Sequence, residues 1–118
     1  MFTNVDKHQG LPIYIQIMNM VKKEVLLGSL LEGDQLPPVR ELSKTFGANI
    51  NTVMRALEKL GLEDIVESRH GIGYFIHASN AIDFDVIMDT EKFVESIKKR
   101  NIDLPMTKML IEELWKKQ

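Results

Sequence analysis

One short stretch of the sequence carries side chains suited to reading the edges of DNA base pairs. Asn51 and Arg55 lie near one pole of a helical wheel and Thr52 lies on its flank. The apolar residues of the same stretch lie on the opposite side, within about 60° of Val53: Val53, Ala56, Leu57 and Leu60. Asn can bridge adenine, Arg can bridge guanine, and Thr can contact a phosphate or a thymine methyl group. A solvated polar face is the alternative interpretation, and the pattern alone does not separate the two.

The elements before and around this stretch are predicted to be three helices. Apolar spacing predicts a helix over 11–30, with a stop at Gly28, and a short helix over 39–46. After Gly47, Asn49 is expected to cap a third helix that runs to about residue 63. Two short helices joined by a tight turn form the helix-turn-helix unit.

A hairpin is predicted directly after the third helix. Residues 65–68 and 73–77 are strand-like, and the segment RHGIG between them supplies two glycines for the turn. A hairpin in this place is the wing of a winged helix-turn-helix. We therefore predict a mainly α fold with a small β-hairpin (α+β), and a DNA-binding domain over residues 1–79. A small three-helix domain without DNA binding would use the same apolar spacings.

Residues 80–118 are predicted to be a two-helix dimerisation tail. Helical spacing covers 83–101, and a last helix is expected over 106–117, with Asp103 as its cap. That helix is apolar on more than one face, which a short tail cannot bury against itself: Met106, Met109, Leu110, Ile111, Leu114 and Trp115. Packing within one chain is the alternative, and the methionines leave open an adaptable seam that accepts a ligand.

Composition excludes several classes of function. The chain has 118 residues, no cysteine and a net charge of −2, so thiolate metal sites and a cysteine nucleophile are excluded. The net charge does not by itself indicate a nucleic-acid binder. No apolar run approaches the length of a membrane helix, and the first residues lack a signal pattern. We expect a cytoplasmic protein without membrane association.

The sequence shows no recognisable catalytic, metal or cofactor site. The three histidines lack metal-ligand spacing. Asp83, Asp85 and Asp89 lack the glycine and spacing of a calcium loop, and a preference for acids at helix starts accounts for them better. No Ser/His/Asp set or carboxylate pair is recognisable, so we do not expect an enzyme.

Three segments resemble the GntR family of bacterial repressors: LPIYIQI (11–17), GSLLEGDQLPPVRELSKTFGANINTVMRALEKL (28–60) and RHGIGYFI (69–76). The PIYIQI opening and the short tail are similar to its YtrA-type branch. The resemblance implies a winged helix-turn-helix dimer that binds a palindromic operator. It further implies a place beside a transporter operon and no large ligand domain.

The resemblance also implies individual roles in DNA binding. Arg40 matches an arginine that holds the DNA backbone or a guanine. Asn49, Asn51 and Thr52 match the polar start of the recognition helix, and Arg55 matches its arginine-bearing turn. His70 and Gly71 match the wing tip that enters the minor groove or contacts phosphate. Ile50 departs from the family pattern but is also assigned to the DNA surface, where it either packs on a thymine methyl group or simply covers the turn.

Four positions depart from the family pattern. Pro38 stands where relatives use Ser, Ile50 replaces a frequent Arg or Pro, and Ile72 replaces a frequent Lys. Asp64 stands where a Gly normally ends the recognition helix, and we expect it to adopt the left-handed conformation. Many relatives also carry a basic residue at the position of Met54. Fewer positive charges predict weaker, more salt-tolerant DNA binding.

The sequence thus predicts a sequence-specific transcriptional regulator whose partners are double-stranded DNA and a second copy of itself. A repressor is the expected form, and no effector is identified. The alternative from another class is a protein-interaction module that has kept the winged fold without specific DNA binding. The negative net charge and the lost basic positions motivate that alternative.

Overall fold

The computed structural model describes residues 1–78 and 83–117, which belong to two compact units, Met1–Ile82 and Asp83–Gln118. The first unit contains, in order, α1 (Ile13–Leu26), α2 (Val39–Phe46), α3 (Ile50–Leu62), β1 (Val66–Arg69) and β2 (Gly73–Ile76). The second contains α4 (Phe84–Lys99) and α5 (Leu104–Lys117). The predicted boundary between residues 79 and 80 lies outside the described residues.

The core of the first unit lies among its three helices and the hairpin. The apolar stripe predicted for α3 is fully buried, as expected from its spacing, and α1 packs along the same side. The largest fully buried side chains come from all of these elements: Phe46, Ile17, Leu42, Leu57, Leu60, Ile76, Val21 and Val53. This core holds α3 so that its polar side faces outward.

Four helices end in the same hydrogen-bonded motif, with a left-handed residue just past the helix. That residue is Gly28 after α1, Gly47 after α2, Asp64 after α3 and Asn101 after α4. The helix predicted over 11–30 is therefore too long. It ends at Leu26, because the chain turns through the positive φ of 78° at Gly28.

Asp64 has a φ of 59°, which confirms that it takes the conformation usually given to glycine. Its amide donates to the carbonyl of Gly61 at 3.1 Å, and the next amide, of Ile65, donates to Leu60 at 3.0 Å. Because Ile65 completes the helix end, β1 begins one residue later than predicted, at Val66.

The wing is an antiparallel hairpin in which Val66 pairs with Ile76 and Arg69 with Gly73. The segment 33–36, between α1 and α2, lies along its outer edge. The amide of Leu36 donates to the carbonyl of Tyr74 at 2.8 Å, and the amide of Ile76 donates to Asp34 at 2.8 Å. Backbone hydrogen bonds therefore tie the wing to the connection that leads into α2.

Both helices of the second unit begin at a capping aspartate. Asp83 accepts a hydrogen bond from the amide of Val86 at 3.0 Å, and Asp103 accepts one from Met106 at 2.9 Å. The start predicted at residue 106 is two residues late, because Pro105 fits the first turn of a helix, where no N–H is needed. Among the residues described in α4 and α5, only Thr107 is buried.

Candidate nucleic-acid interface

The start of α3 is shaped by Asn49. Its side-chain oxygen accepts a hydrogen bond from the amide of Asn51 at 2.8 Å, which confirms the predicted cap. Asn49 itself is exposed. Asn51 and Ile50 are exposed and Thr52 is half-buried, so the first turn presents these side chains to solvent.

Arg55 is exposed, and its guanidinium lies over the ring of Tyr14 in α1, 4.0 Å from the ring centroid. The ammonium group of Lys59, one turn further along, lies 5.6 Å from the same centroid. In the parts of the chain that the structure describes, no carboxylate or carbonyl accepts a hydrogen bond from Arg55. The guanidinium thus lies over the ring, and its N–H donors have no hydrogen-bond partner among the described residues.

Met54 belongs to the outward surface of α3, although its place on a helical wheel is on a flank, about 100° from Val53. Its side chain is 47% exposed and lines a groove of about 390 Å³ between α3 and the wing. Glu58, Ser68 and Tyr74 line the same groove. The wheel could not show this, because it does not contain the position of the wing.

Arg40 is exposed near the start of α2, whose cap is Pro38 without any side-chain hydrogen bond. Proline thus keeps the helix start while removing the hydroxyl of the usual serine. Within residues 1–78 and 83–117, no hydrogen bond or ion pair joins Arg40 or His70 to the polar residues of α3. Of the predicted site residues, the hydrogen bonds bring together only Asn49 and Asn51.

The wing tip consists of exposed residues around a tight turn. The amide of Ile72 donates to the carbonyl of Arg69 at 3.0 Å, and Gly71 supplies the positive φ of 74° inside that turn. His70, Gly71 and Ile72 are exposed. The side-chain amide of Gln35 donates to the carbonyl of Ile72 at 3.0 Å and so supports the tip from the α1–α2 connection.

Arg69 is a candidate contact residue that sequence reasoning missed. Its guanidinium lies over the ring of Phe75 at 4.1 Å from the centroid, and it is 3.6 Å from the carboxylate of Glu67. The signal that could have found it is the alternation of the hairpin, which puts Arg69 beside Phe75 across the two strands. An arginine at the base of the tip suits phosphate contact.

Glu67 is the centre of a small charge network in the wing. The ring nitrogen Nε2 of His77 lies 2.9 Å from its carboxylate. The hydrogen bond with His77, with a smaller contribution from the charge of Arg69, lowers the pKa of Glu67 below its ordinary value of 4.5. Glu67 is therefore ionised at neutral pH and partly offsets the positive charge of the wing.

Two further observations concern other chemistries. In residues 1–78 and 83–117, no three His, Asp or Glu side chains gather into an arrangement that could hold a metal ion. No described helix combines the length and apolar character needed to cross a membrane.

Comparison with known proteins decides the family. The family model described as "Bacterial regulatory proteins, gntR family" matches residues 13–76, which span α1 to β2. The chain belongs to the GntR family. The transcriptional repressor YtrA of Bacillus subtilis (strain 168) is 36% identical over 110 residues, covering 93% of this chain and 84% of that protein.

Solved structures of GntR-type proteins have the same fold. A GntR family transcriptional regulator from Listeria monocytogenes matches with a TM-score of 0.58 at 25% identity, covering 89% of this chain and 96% of that one. The DNA-binding domain of AraR in complex with operator ORX1 matches with a TM-score of 0.57 at 25% identity, covering 65% and 93%.

These findings confirm the resemblance to the GntR family and the winged helix-turn-helix with a small β-hairpin. The protein is a DNA-binding transcriptional regulator, and double-stranded DNA is its partner. Its relatives are regulators and not enzymes, which confirms the expectation that it is not an enzyme.

Proposed function

We propose that this GntR-family regulator acts in the cytoplasm as a homodimer that binds a palindromic operator and represses transcription there. The observation that carries the proposal is the exposed polar side of α3, where Arg55 is held on Tyr14 with its donor edge free. The similarity to the repressor YtrA supports repression, and the resemblance to its branch suggests a transporter operon as the target.

The proposed division of labour separates base contacts from backbone contacts. Asn51, Thr52 and Arg55 contact base edges in the major groove, and Ile50 packs against a thymine methyl group. The remaining predicted residues position the protein on the sugar-phosphate backbone or in the minor groove: Arg40, Asn49, His70 and Gly71. All of these residues except Thr52 are exposed.

The proposal of a homodimer rests on the apolar side chains of α5. The exposed ones make up half of the helix: Leu104, Met106, Met109, Leu110, Ile111, Leu114 and Trp115, the last of them 81% exposed. Contiguous apolar surface of this kind is a mark of an interaction site. A second copy is the natural occupant, because a reader of palindromes needs two-fold symmetry. The interface would comprise residues 80–118.

Selection from a random DNA pool tests the proposal of an operator. We expect the full chain to enrich a palindrome whose half-sites are separated by about one helical turn or a multiple of it. A transcription assay with the enriched sequence placed at a promoter then tests repression. Enrichment of an asymmetric single site would contradict a dimer bound to a palindrome, and increased transcript would contradict repression.

Sedimentation tests the dimer. A truncated chain ending at Ser79 is expected to be a monomer, as is the intact chain with Leu110→Glu and Leu114→Glu. Lys108→Glu is the matched control, because it changes charge on the same helix without touching an apolar side chain. A dimer that persists in the truncated chain would place the interface elsewhere.

A protein-interaction module is the second candidate function, and one observation favours it. Ile50, Met54 and Ile72 are exposed apolar side chains (41%, 47% and 63%) at or beside the proposed DNA surface. A net charge of −2 also weakens attraction to phosphates. A salt titration separates the candidates, because failure to bind any DNA even at low salt would favour the module.

A further inference from the structure

Tyr14 is the second residue of α1 and is half-buried against the core of the first unit. The guanidinium of Arg55 lies 4.0 Å and the ammonium of Lys59 5.6 Å from the centroid of its ring. Two like charges one turn apart on α3 repel each other. The negative face of the ring offsets this repulsion and attracts both groups.

The contact with the ring of Tyr14 restricts the motion of Arg55 without forming hydrogen bonds to its N–H groups. An arginine stacked on a ring loses rotational freedom, and its five N–H donors project from the edge of the guanidinium plane. Among the described residues none accepts from those donors. The other stacked arginine of the chain's described part, Arg69, differs, because Glu67 lies within ion-pair distance of it.

We propose that Tyr14 is a positioning residue for DNA recognition. Its ring holds the guanidinium of Arg55 in a defined orientation, so that the two donors along one edge meet a guanine in the major groove with less loss of freedom on binding. This inference rests on the proposed function and adds a specificity determinant from α1, which is otherwise a core helix. Lys59 shares the ring but serves only the general attraction to phosphate.

If Tyr14 only packs beneath the side chain of Arg55, its substitution has a different expected effect. A purely structural role would make substitutions of Tyr14 change stability, and would leave the choice between base pairs unaltered. A positioning role makes the choice of base pair depend on an aromatic face at residue 14. The hydroxyl group is not needed, so Phe is expected to replace Tyr and an aliphatic residue is not.

The test uses the full chain and a duplex taken from the pool that the wild-type protein enriches. Each guanine of a half-site is replaced in turn, and the ratio of dissociation constants gives the preference at that base pair. We expect Arg55→Ala to lose a preference of roughly 5- to 150-fold at one guanine. Tyr14→Leu is expected to lose most of the same preference, and Tyr14→Phe to retain it. Lys59→Ala, the matched control on the same ring, is expected to retain it as well.

A double variant tests whether Tyr14 acts through Arg55, and a second substitution of Tyr14 is available if the first does not fold. With Arg55→Ala already present, Tyr14→Leu is expected to cause no further loss at that guanine. If Tyr14→Leu does not fold, Tyr14→Met, whose flexible side chain fills the same space, takes its place. An unchanged guanine preference in the folded aliphatic variant would overturn the proposal. Tighter binding of the duplex by the aliphatic variant would also overturn the proposal, since the ring of Tyr14 would then be keeping Arg55 away from the DNA. A wild-type protein that enriches no sequence would refute the proposed function itself.

Discussion

Replacing Asp64 with glycine is expected to stabilise the fold. A left-handed conformation costs an ordinary L-residue about 1–2 kcal/mol, and a short polar side chain reduces but does not remove that cost. A carboxylate at the C-terminal end of a helix costs a further ~0.3–1 kcal/mol. Glycine escapes both costs and loses about 0.4–1 kcal/mol through its freer unfolded state. With the φ of 59° at Asp64, the net gain is about 1 kcal/mol.

Thermal unfolding of the full chain measures the effect. A gain of about 1 kcal/mol corresponds to a rise in Tm of roughly 4–8 °C for a unit of this size. Asp64→Asn is the matched control, because it removes the charge and keeps a residue that tolerates the left-handed region. Asn101→Gly is a second control at the same φ of 59° in the other unit, where no charge changes and a smaller gain is expected. A Tm that falls on Asp64→Gly while the oligomeric state stays unchanged would refute the assignment of strain to Asp64.

Three further predictions concern DNA binding and pH. Arg55→Ala is expected to cost ~1–3 kcal/mol of binding free energy at one base pair in each half-site. Arg40→Ala is expected to weaken binding to all sequences alike and to lower the salt slope by about 1. A uniform loss of affinity across sequences in both variants would contradict base reading by Arg55. Ile72→Lys restores the basic residue of related wings, so we expect tighter binding with a salt slope steeper by about 1, measured by titration at several salt concentrations. The lowered pKa of Glu67 means that its pairing stabilises the fold above pH 4.5 and that this contribution disappears as pH falls through the lowered value. Glu67→Gln is therefore expected to flatten the fall in Tm below pH 4.5, and an unchanged acid profile would speak against the pairing with His77.

Apolar spacing and capping residues were sufficient to predict most of the helices and the hairpin from the sequence. Apolar spacing located the helices of the first unit, and capping residues such as Asn49 and Asp103 located helix starts. The predicted start of β1 is one residue early and that of α5 is two residues late, whereas the predicted end of α1 is four residues late because the chain turns at Gly28. Ile65 closes α3 and so cannot open β1, and Pro105 belongs inside the first turn of α5.

The candidate site was less accessible from sequence because its contacts join distant parts of the chain. The helical wheel placed Arg55 outward but could not show Tyr14 beneath it, since the ring comes from a helix about 40 residues earlier in the chain. The same holds for Gln35, which supports the wing tip through the carbonyl of Ile72. Contacts across such separations depend on the packed core, and a periodicity argument contains no information about them.

The backbone hydrogen bonds that tie residues 33–36 to β2 have a consequence for how such regulators diverge. Peptide groups make these bonds, so the position of the wing depends little on which side chains its tip carries. Residues 70–72 are exposed and enclosed by no packing. Mutation can therefore exchange His70 or Ile72 for basic, polar or apolar residues at little cost in stability. If the tip contacts DNA as proposed, related proteins can acquire new DNA preferences there one substitution at a time, on a wing whose placement does not change.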